Sequence, residues 1–204
     1  MPCCSAMISA PNNLDHAGRA FLANAGRVLT TDAGAQRLGG AAEGMASWQT
    51  KDLVGRDGGR LQVTATPARH EPAGIEPLSG DLVGFVLALP NMRPIYVTGD
   101  TVWCDGVAEV ARRFQAGIVV LFAGAARTRG AFHLTMDAND AIETAHAFPD
   151  AVIVPVHYEG WAHFSQSRAD LEAAFNTLGL AARLRLLDPG VPTRIEMAKQ
   201  HPVS

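Results

Sequence analysis

Three segments of the chain carry, at or near their ends, side chains that commonly bind transition metals. They are residues 66–70, 97–101 and 154–158, and their candidate ligands are His70, Asp100 and His157. Each follows a run rich in β-branched residues, at a point where we expect a strand to end and the chain to turn. Two neutral imidazoles and one carboxylate form a donor set that zinc, iron or manganese will bind.

The composition is that of a chain with one sizeable core. It has 204 residues, of which 48% are hydrophobic and 18% are charged, and this length favours a single domain. We expect an irregular segment over residues 1–11 and one domain over residues 12–204. The net charge is −3, and the 17 Lys and Arg residues are scattered. The sequence therefore lacks the basic stripe expected for binding nucleic acid.

The sequence also favours a cytoplasmic protein without a membrane partner. No stretch approaches the roughly 18 apolar residues that a membrane-spanning helix needs. The first ten residues lack the basic region and apolar run of a signal peptide. The three cysteines are an odd number and form no CxxC motif, so we do not expect a disulfide framework.

Hydrophobic periodicity predicts the elements that must position the candidate ligands. Strands are predicted at residues 27–31, around 47–50, and at 61–66, 81–89, 95–98, 118–122, 151–156 and 183–187. Helices are predicted at residues 14–25, 32–38, 105–115, from a cap at Thr135 or Asp137 to 147, and at 168–178. Strand pairs come first and helices are interleaved later, which predicts one layered α/β fold.

Four segments, taken in order, resemble the metallo-β-lactamase superfamily. They are residues 64–70, 96–101, 133–136 and 154–158, and the resemblance covers about residues 60–195. Within the superfamily, the chain looks most like the lactonases and metal-dependent hydrolases related to ascorbate-phosphate lactonase. The resemblance implies an αββα four-layer sandwich, with a metal site at one edge of the two sheets.

The resemblance implies a role for each candidate residue. His70 would bind one metal, His157 would bind a second, and Asp100 would bridge the two, although the same residues could hold a single ion. Zinc is the implied cofactor, as one or two ions, with manganese or iron as alternatives. Hydroxide held by the metal would attack a carbonyl. Asp100 and His133 are the catalytic candidates, His133 for proton transfer or oxyanion contact.

The resemblance breaks down near the N-terminus, where the superfamily carries an HxHxDH motif. Two alignments are open. In the first, Asp15 and His16 belong to the end of the motif and are further metal-ligand candidates, while Pro11 and Asn13 occupy its two leading His positions. In the second, Asp15 caps the helix that follows the motif, and the whole motif is absent. Under both alignments at least two ligands are missing and the first sheet is incomplete at its N-terminal side.

The implied function is a metal-dependent hydrolase with a small-molecule substrate. A lactone or related ester is the expected class, including the homoserine-lactone type of signal that quorum-quenching lactonases open. The alternative is a catalytically degenerate protein that keeps the fold and binds a ligand or a partner, and the missing HxHxDH motif favours it. The open edge of an incomplete sheet would allow a homodimer.

Overall fold

A computed structural model describes residues 3–4, 16–22, 24–70, 81–127, 130 and 132–197. The strands are β1 (Cys3–Cys4), β2 (Val28–Thr30), β3 (Ala42–Gly44), β4 (Thr50–Val54), β5 (Arg60–Pro67), β6 (Val83–Ala88), β7 (Ile95–Val97), β8 (Ile118–Phe122) and β9 (Val152–Val156). The helices are α1 (His16–Leu22), α2 (Asp32–Leu38), α3 (Asp105–Arg113), α4 (Ala138–Ala147) and α5 (Arg168–Thr177), followed by a 3₁₀ turn at Ala181–Arg183.

The strands form a small and a large sheet. The small sheet has the order β1-β2-β3 and is parallel, and the large sheet has the order β4-β5-β6-β7-β8-β9. The large sheet is antiparallel from β4 to β7 and parallel from β7 to β9. Strands β5, β7 and β9 therefore run in the same direction, and their carboxyl ends meet at one edge. His70, Asp100 and His157 follow those three ends.

The elements stack in four layers, and two hydrophobic cores lie on the two faces of the large sheet. Between the sheets, Leu29 and Met45 pack with residues of β4, β5 and β6, such as Val63 and Phe85. Helices α3, α4 and α5 cover the other face of the large sheet, where their core includes Val107 and other buried side chains. Helix α2 packs on the small sheet, at β2 and β3. The predicted αββα sandwich is confirmed, and its small sheet has three strands within the described residues.

The predicted strand around residues 47–50 is wrong over most of its length. Ser47 and Trp48 lie in a turn between β3 and β4, and Trp48 has a left-handed φ of 71°. The strand itself begins only at Thr50. Met45 is buried between the sheets, and the Arg113 guanidinium stacks on the Trp48 ring at 4.0 Å. The two side chains pack on different layers, so the backbone must turn between them.

The predicted strand at residues 183–187 is also wrong. The chain forms a 3₁₀ turn and then only an isolated parallel bridge between Leu184 and Ile153. The Arg183 guanidinium donates hydrogen bonds to the carbonyls of Ala145, Phe148 and Ala151. These bonds hold the segment against the carboxyl end of α4, and a ladder along β9 does not form.

The expected irregular segment over residues 1–11 is described only at Cys3–Cys4, which pair with Val28 and Leu29 of β2. The rest of that segment lies outside the described residues, and the division at residue 12 stays a prediction. Among the described helices, none is long and apolar enough to span a membrane.

Candidate metal centre

The Asp100 loop is fixed by the buried Thr98 side chain. Its hydroxyl accepts a hydrogen bond from the backbone N–H of Phe122 at 3.1 Å and donates to the Gly99 carbonyl at 2.8 Å. Gly99 has a φ of 66°, which a residue without Cβ adopts readily. The chain therefore turns directly after β7, and the Asp100 side chain is only 4% exposed.

Thr101 ties the loop of Asp100 to the segment that carries His70. The backbone N–H of Arg69 donates to the Thr101 hydroxyl at 2.9 Å, and the Val102 N–H donates to the Arg69 carbonyl at 2.8 Å. These bonds connect residues more than thirty positions apart in the sequence. They fix the backbone directly before His70 and directly after Asp100.

His157 is held in an unusual backbone conformation by close packing. It follows β9 with a left-handed φ of 57°, which is uncommon for a residue other than glycine. Its ring lies 4.9 Å from the Phe164 ring in an edge-on contact and 5.4 Å from the Phe122 ring. A Cβ at Gly124 would lie 3.0 Å from the His157 carbonyl, so the two loops pass very close together.

The structure brings His70, Asp100 and His157 together. The His70 Nε2 atom is 3.8 Å from one Asp100 oxygen, and the His157 Nδ1 atom is 3.7 Å from the other. Both distances exceed the 2.7–3.2 Å typical of an N–H···O hydrogen bond. Two ligand atoms on one tetrahedral zinc lie roughly 3.3–3.5 Å apart, given zinc–ligand distances near 2.0–2.2 Å. The observed spacing is close to that of atoms that share a metal.

Burial dominates the electrostatics of these residues. It lowers the pKa of His70 to about 4, an effect to which the neighbouring His157 adds. It lowers the pKa of His157 to about 4, with His163 adding to the shift. Burial raises the pKa of Asp100 to about 7. Both imidazoles are therefore neutral at neutral pH, and the carboxylate is in a place that favours a nearby positive charge.

His133 belongs to a second cluster, together with two acidic residues, Asp137 and Asp140, at the amino end of α4. Asp137 caps the helix by accepting from the backbone N–H of Asp140 at 2.9 Å. The His133 Nε2 atom lies 3.3 Å from an Asp140 oxygen and 3.7 Å from an Asp137 oxygen. The same Asp140 oxygen accepts from the Trp103 N–H at 3.1 Å, which links the cluster to the Asp100 loop. Burial raises the pKa of Asp140.

The second cluster also meets a geometric requirement for a metal, since one ligand atom from each residue lies within 4.8 Å of the others. Its position argues against a cation, because the amino end of a helix carries a partial positive charge. The sequence indicated Asp137 only as one of two possible helix caps, and it did not connect Asp140 with His133. Their spacing of four and seven residues from His133 is the signal that could have joined them to it.

Two cavities each include one histidine of the first cluster, which consists of His70, Asp100 and His157. One of about 720 Å³ is lined by residues 31–33, Arg37, 45–47, 68–70 and 81–83, and thus includes His70. The other, of about 440 Å³, is lined by residues 155–159 and 187–192, and includes His157. Each of the two histidines therefore lines a cavity of its own within the described residues.

The two remaining ligand candidates are not placed by the structure. Asp15 lies outside the described residues. His16 begins α1, but its side chain is not among the described parts of the structure. The choice between the two N-terminal alignments stays open.

Comparisons with known proteins agree with the fold. A family model described as the beta-lactamase superfamily domain matches residues 18–158. The chain belongs to the metallo-β-lactamase superfamily. The match ends directly after His157, so it includes all three residues of the first cluster.

Individual members of the metallo-β-lactamase superfamily show how far the likeness extends. The UPF0173 protein YddR of Bacillus subtilis is 31% identical over 55% of this chain and 44% of its own length. The UPF0173 metal-dependent hydrolase Ta0764 of Thermoplasma acidophilum is 28% identical over 67% of this chain and 55% of its own length. The chain thus spans about half the length of the curated relatives it matches.

The solved structure of another protein supports the fold of this chain. The crystal structure of the isothiocyanate hydrolase from Delia radicum gut bacteria superposes with a TM-score of 0.76 at 23% identity. The superposition covers 94% of this chain and 76% of that one. At this level of identity the likeness establishes the architecture alone.

Proposed function

We propose that the chain is a metal-dependent hydrolase that acts on a small-molecule ester or lactone. The observation that carries the proposal is the buried Asp100 carboxylate, whose two oxygens lie 3.8 and 3.7 Å from one nitrogen of His70 and of His157. The name of Ta0764, a metal-dependent hydrolase, supports the same activity. The lactone class, including homoserine-lactone signals, rests on the resemblance of the sequence.

The residues present fit a divalent metal. The His157 Nδ1 atom is buried and has no hydrogen-bond partner in the described part of the chain, which is costly unless something else binds it. Neutral imidazoles offer a lone pair, and a buried carboxylate is stabilised by a cation. His70, Asp100 and His157 would hold the metal, with zinc suited to this set and manganese or iron as alternatives.

A bound metal of this kind supplies Lewis acidity, which acidifies water and polarises a carbonyl. The chain's own residues supply position and proton transfer. Asp100 has an oxygen for each histidine, which suits it to hold one ion or to bridge two. His133 is oriented when its Nε2–H donates to Asp140, and this leaves Nδ1 as the atom that can take up a proton and return it to the leaving group.

Elemental analysis of the purified chain tests the proposal. We expect one or two transition-metal atoms per chain, lost in His157→Ala and retained in His146→Ala, which removes an exposed histidine of α4. A screen of lactones and esters should then find a substrate that the parent and His146→Ala hydrolyse and His157→Ala does not. Equal metal content in all three proteins would contradict the proposed site.

The sequence motivates a second candidate function, that of a non-catalytic binding protein. Its basis is Pro11 and Asn13, which stand where the superfamily has its leading histidines under the first alignment. A folded chain that retains no metal after purification in zinc-supplemented buffer, and hydrolyses no ester or lactone, would favour this function. His16→Ala separates the alignments, because metal loss supports the first and unchanged metal supports the second.

A further inference from the structure

The cavity beside His70 has a charged lining that the proposed hydrolysis does not use. Arg37 of α2 and Arg69 contribute guanidinium groups, and Asp32 and Asp81 contribute carboxylates. Asp32, Arg37 and Asp81 are exposed, whereas Arg69 is half-buried. The deepest of these charges is therefore a positive one, one position before a candidate metal ligand.

One donor of the Arg69 guanidinium has no partner among the described residues. Its Nε atom is buried and makes no hydrogen bond, and across the described part of the chain no carboxylate lies within ion-pair distance of Arg69. A buried donor without a partner is costly, the more so on a charged group. The two acidic residues of the lining do not relieve this cost.

Arg183 shows what a structural arginine does in the same fold. Its Nε, Nη1 and Nη2 atoms donate to backbone carbonyls around the end of α4. Within the described residues, the Arg69 side chain makes no such bonds, although its own backbone is fixed by Thr101 and Val102. A side chain that is anchored at its base, partly desolvated and left with a donor without a partner is prepared to bind a ligand.

A planar guanidinium pairs best with a planar oxyanion, which it binds through two parallel hydrogen bonds. The acidic side chains at the rim, Asp32 and Asp81, disfavour a doubly charged group such as phosphate relative to a single negative charge. We propose that Arg69 binds a carboxylate of the substrate in the cavity beside His70. This inference rests on the proposed function, and it narrows the substrate class to esters or lactones that also carry a carboxylate.

The kinetic test uses two esters with the same leaving group, 4-nitrophenyl butyrate and 4-nitrophenyl hydrogen succinate. Their acyl groups have the same number of carbons, and only the second ends in a carboxylate. In Arg69→Met we expect the ratio of kcat/KM for the succinate ester to that for the butyrate ester to fall roughly 10- to 100-fold. Arg69→Lys should recover part of the ratio, because it keeps the charge but not the planar fork.

Arg56→Met is the matched control, since Arg56 is exposed in the turn between β4 and β5. It should leave the ratio within twofold of the parent. Thermal melting of each variant checks the fold. An unchanged ratio in Arg69→Met would overturn the inference and leave the hydrolase proposal standing.

A binding measurement separates the inference from the hydrolysis. Succinate and inorganic phosphate are titrated into the parent and into Arg69→Met by calorimetry. Succinate binding that weakens about tenfold or more in the variant supports a carboxylate site even if the parent hydrolyses neither ester. Equal succinate binding in both proteins, or a preference of the parent for phosphate, would overturn it.

Discussion

The two histidine–carboxylate clusters contain the same residue types but differ in depth and in spacing. In the first, His70 and His157 flank the buried Asp100 at 3.8 and 3.7 Å, beyond hydrogen-bonding distance. In the second, His133 lies 3.3 Å from Asp140, within reach of a hydrogen bond, and both side chains are partly exposed. The spacing of the first cluster fits the proposal of a shared ion, and that of the second fits a hydrogen bond between His133 and Asp140.

The elements that carry the clusters explain this difference. Strand ends of one sheet hold the first cluster at the sheet edge, where Asp100 is buried and the His157 Nδ1 atom has no hydrogen-bond partner among the described residues. The amino end of α4 holds the second cluster, where backbone N–H groups and the helix dipole already stabilise the carboxylates. The same chemical groups are therefore suited to different work, and variants can test the distinction.

The largest effect is expected for Asp100→Ala, which removes the group between the two imidazoles. Metal content should fall to background, and any hydrolysis should drop by more than about 100-fold. Substitution of residues that only support metal ligands already costs about 10- to 100-fold, and loss of a ligand should cost more. Elemental analysis and the ester assay measure both. Asp105→Ala, at an exposed aspartate of α3, is the control and should keep the metal. Full activity in Asp100→Ala would show that the site is wrong.

A smaller effect is expected for Asp140→Asn, which removes the charge that orients His133. The value of kcat should fall about 10- to 100-fold while metal content stays unchanged, because only proton transfer is affected. The acidic limb of the pH profile of kcat/KM should also shift, which loss of the bond to Trp103 alone would not cause. Glu143→Gln, on an exposed part of α4, is the control. Loss of metal in Asp140→Asn would mean that the two clusters act as one centre.

The pH dependence of stability should separate the buried cluster from the exposed one. In the metal-free protein, folding lowers the pKa of His70 and of His157 from 6.5 to about 4 and raises that of Asp100 from 3.8 to about 7. Between pH of about 4 and 6.5, the unfolded chain holds a proton on each of the two histidines, whereas the folded chain holds one proton, on Asp100. The free energy of unfolding should therefore rise with pH from about 4 to about 6.5.

Asp100→Asn sharpens this prediction. It removes the proton that the folded state holds, so the slope of the free energy of unfolding against pH should about double. Urea unfolding in the presence of a chelator, at several pH values across the window, measures both slopes. Equal slopes in the parent and the variant would contradict the buried, protonated Asp100.

The smallest effect is expected for Phe164→Leu, which removes the ring beside His157. Metal affinity should weaken by about two- to tenfold, as expected for the loss of one aromatic contact. Competition with a chromogenic chelator gives the affinity. Phe148→Leu, which changes an aromatic pair with Tyr96 in the helix core, should lower stability but leave metal affinity unchanged. Equal affinities in Phe164→Leu and the parent would mean that the ring does not hold His157.

Much of the fold followed from local patterns. Strand β8 lies at the predicted residues 118–122, because a short run of buried β-branched residues permits little else. Helices α4 and α5 begin after side chains that accept from the first turn, Asp137 and Ser167. The candidate ligands were found because strand ends fix side chains at a sheet edge. The errors, at residues 47–50 and 183–187, fall where packing of Trp48 and Arg183 on distant elements sets the backbone.

The sequence by itself determined the residue types at the strand ends and the order of the elements, and its resemblance to the superfamily implied the four-layer architecture. Only the tertiary structure decided which side chains meet, because β5, β7 and β9 lie far apart in the chain and are aligned by the sheet. It also decided how deeply each is buried, and burial sets the charge states of His70, Asp100 and His157. The buried Arg69 Nε atom, which has no hydrogen-bond partner among the described residues, has no signal in the sequence, since burial and hydrogen bonding depend on the tertiary structure.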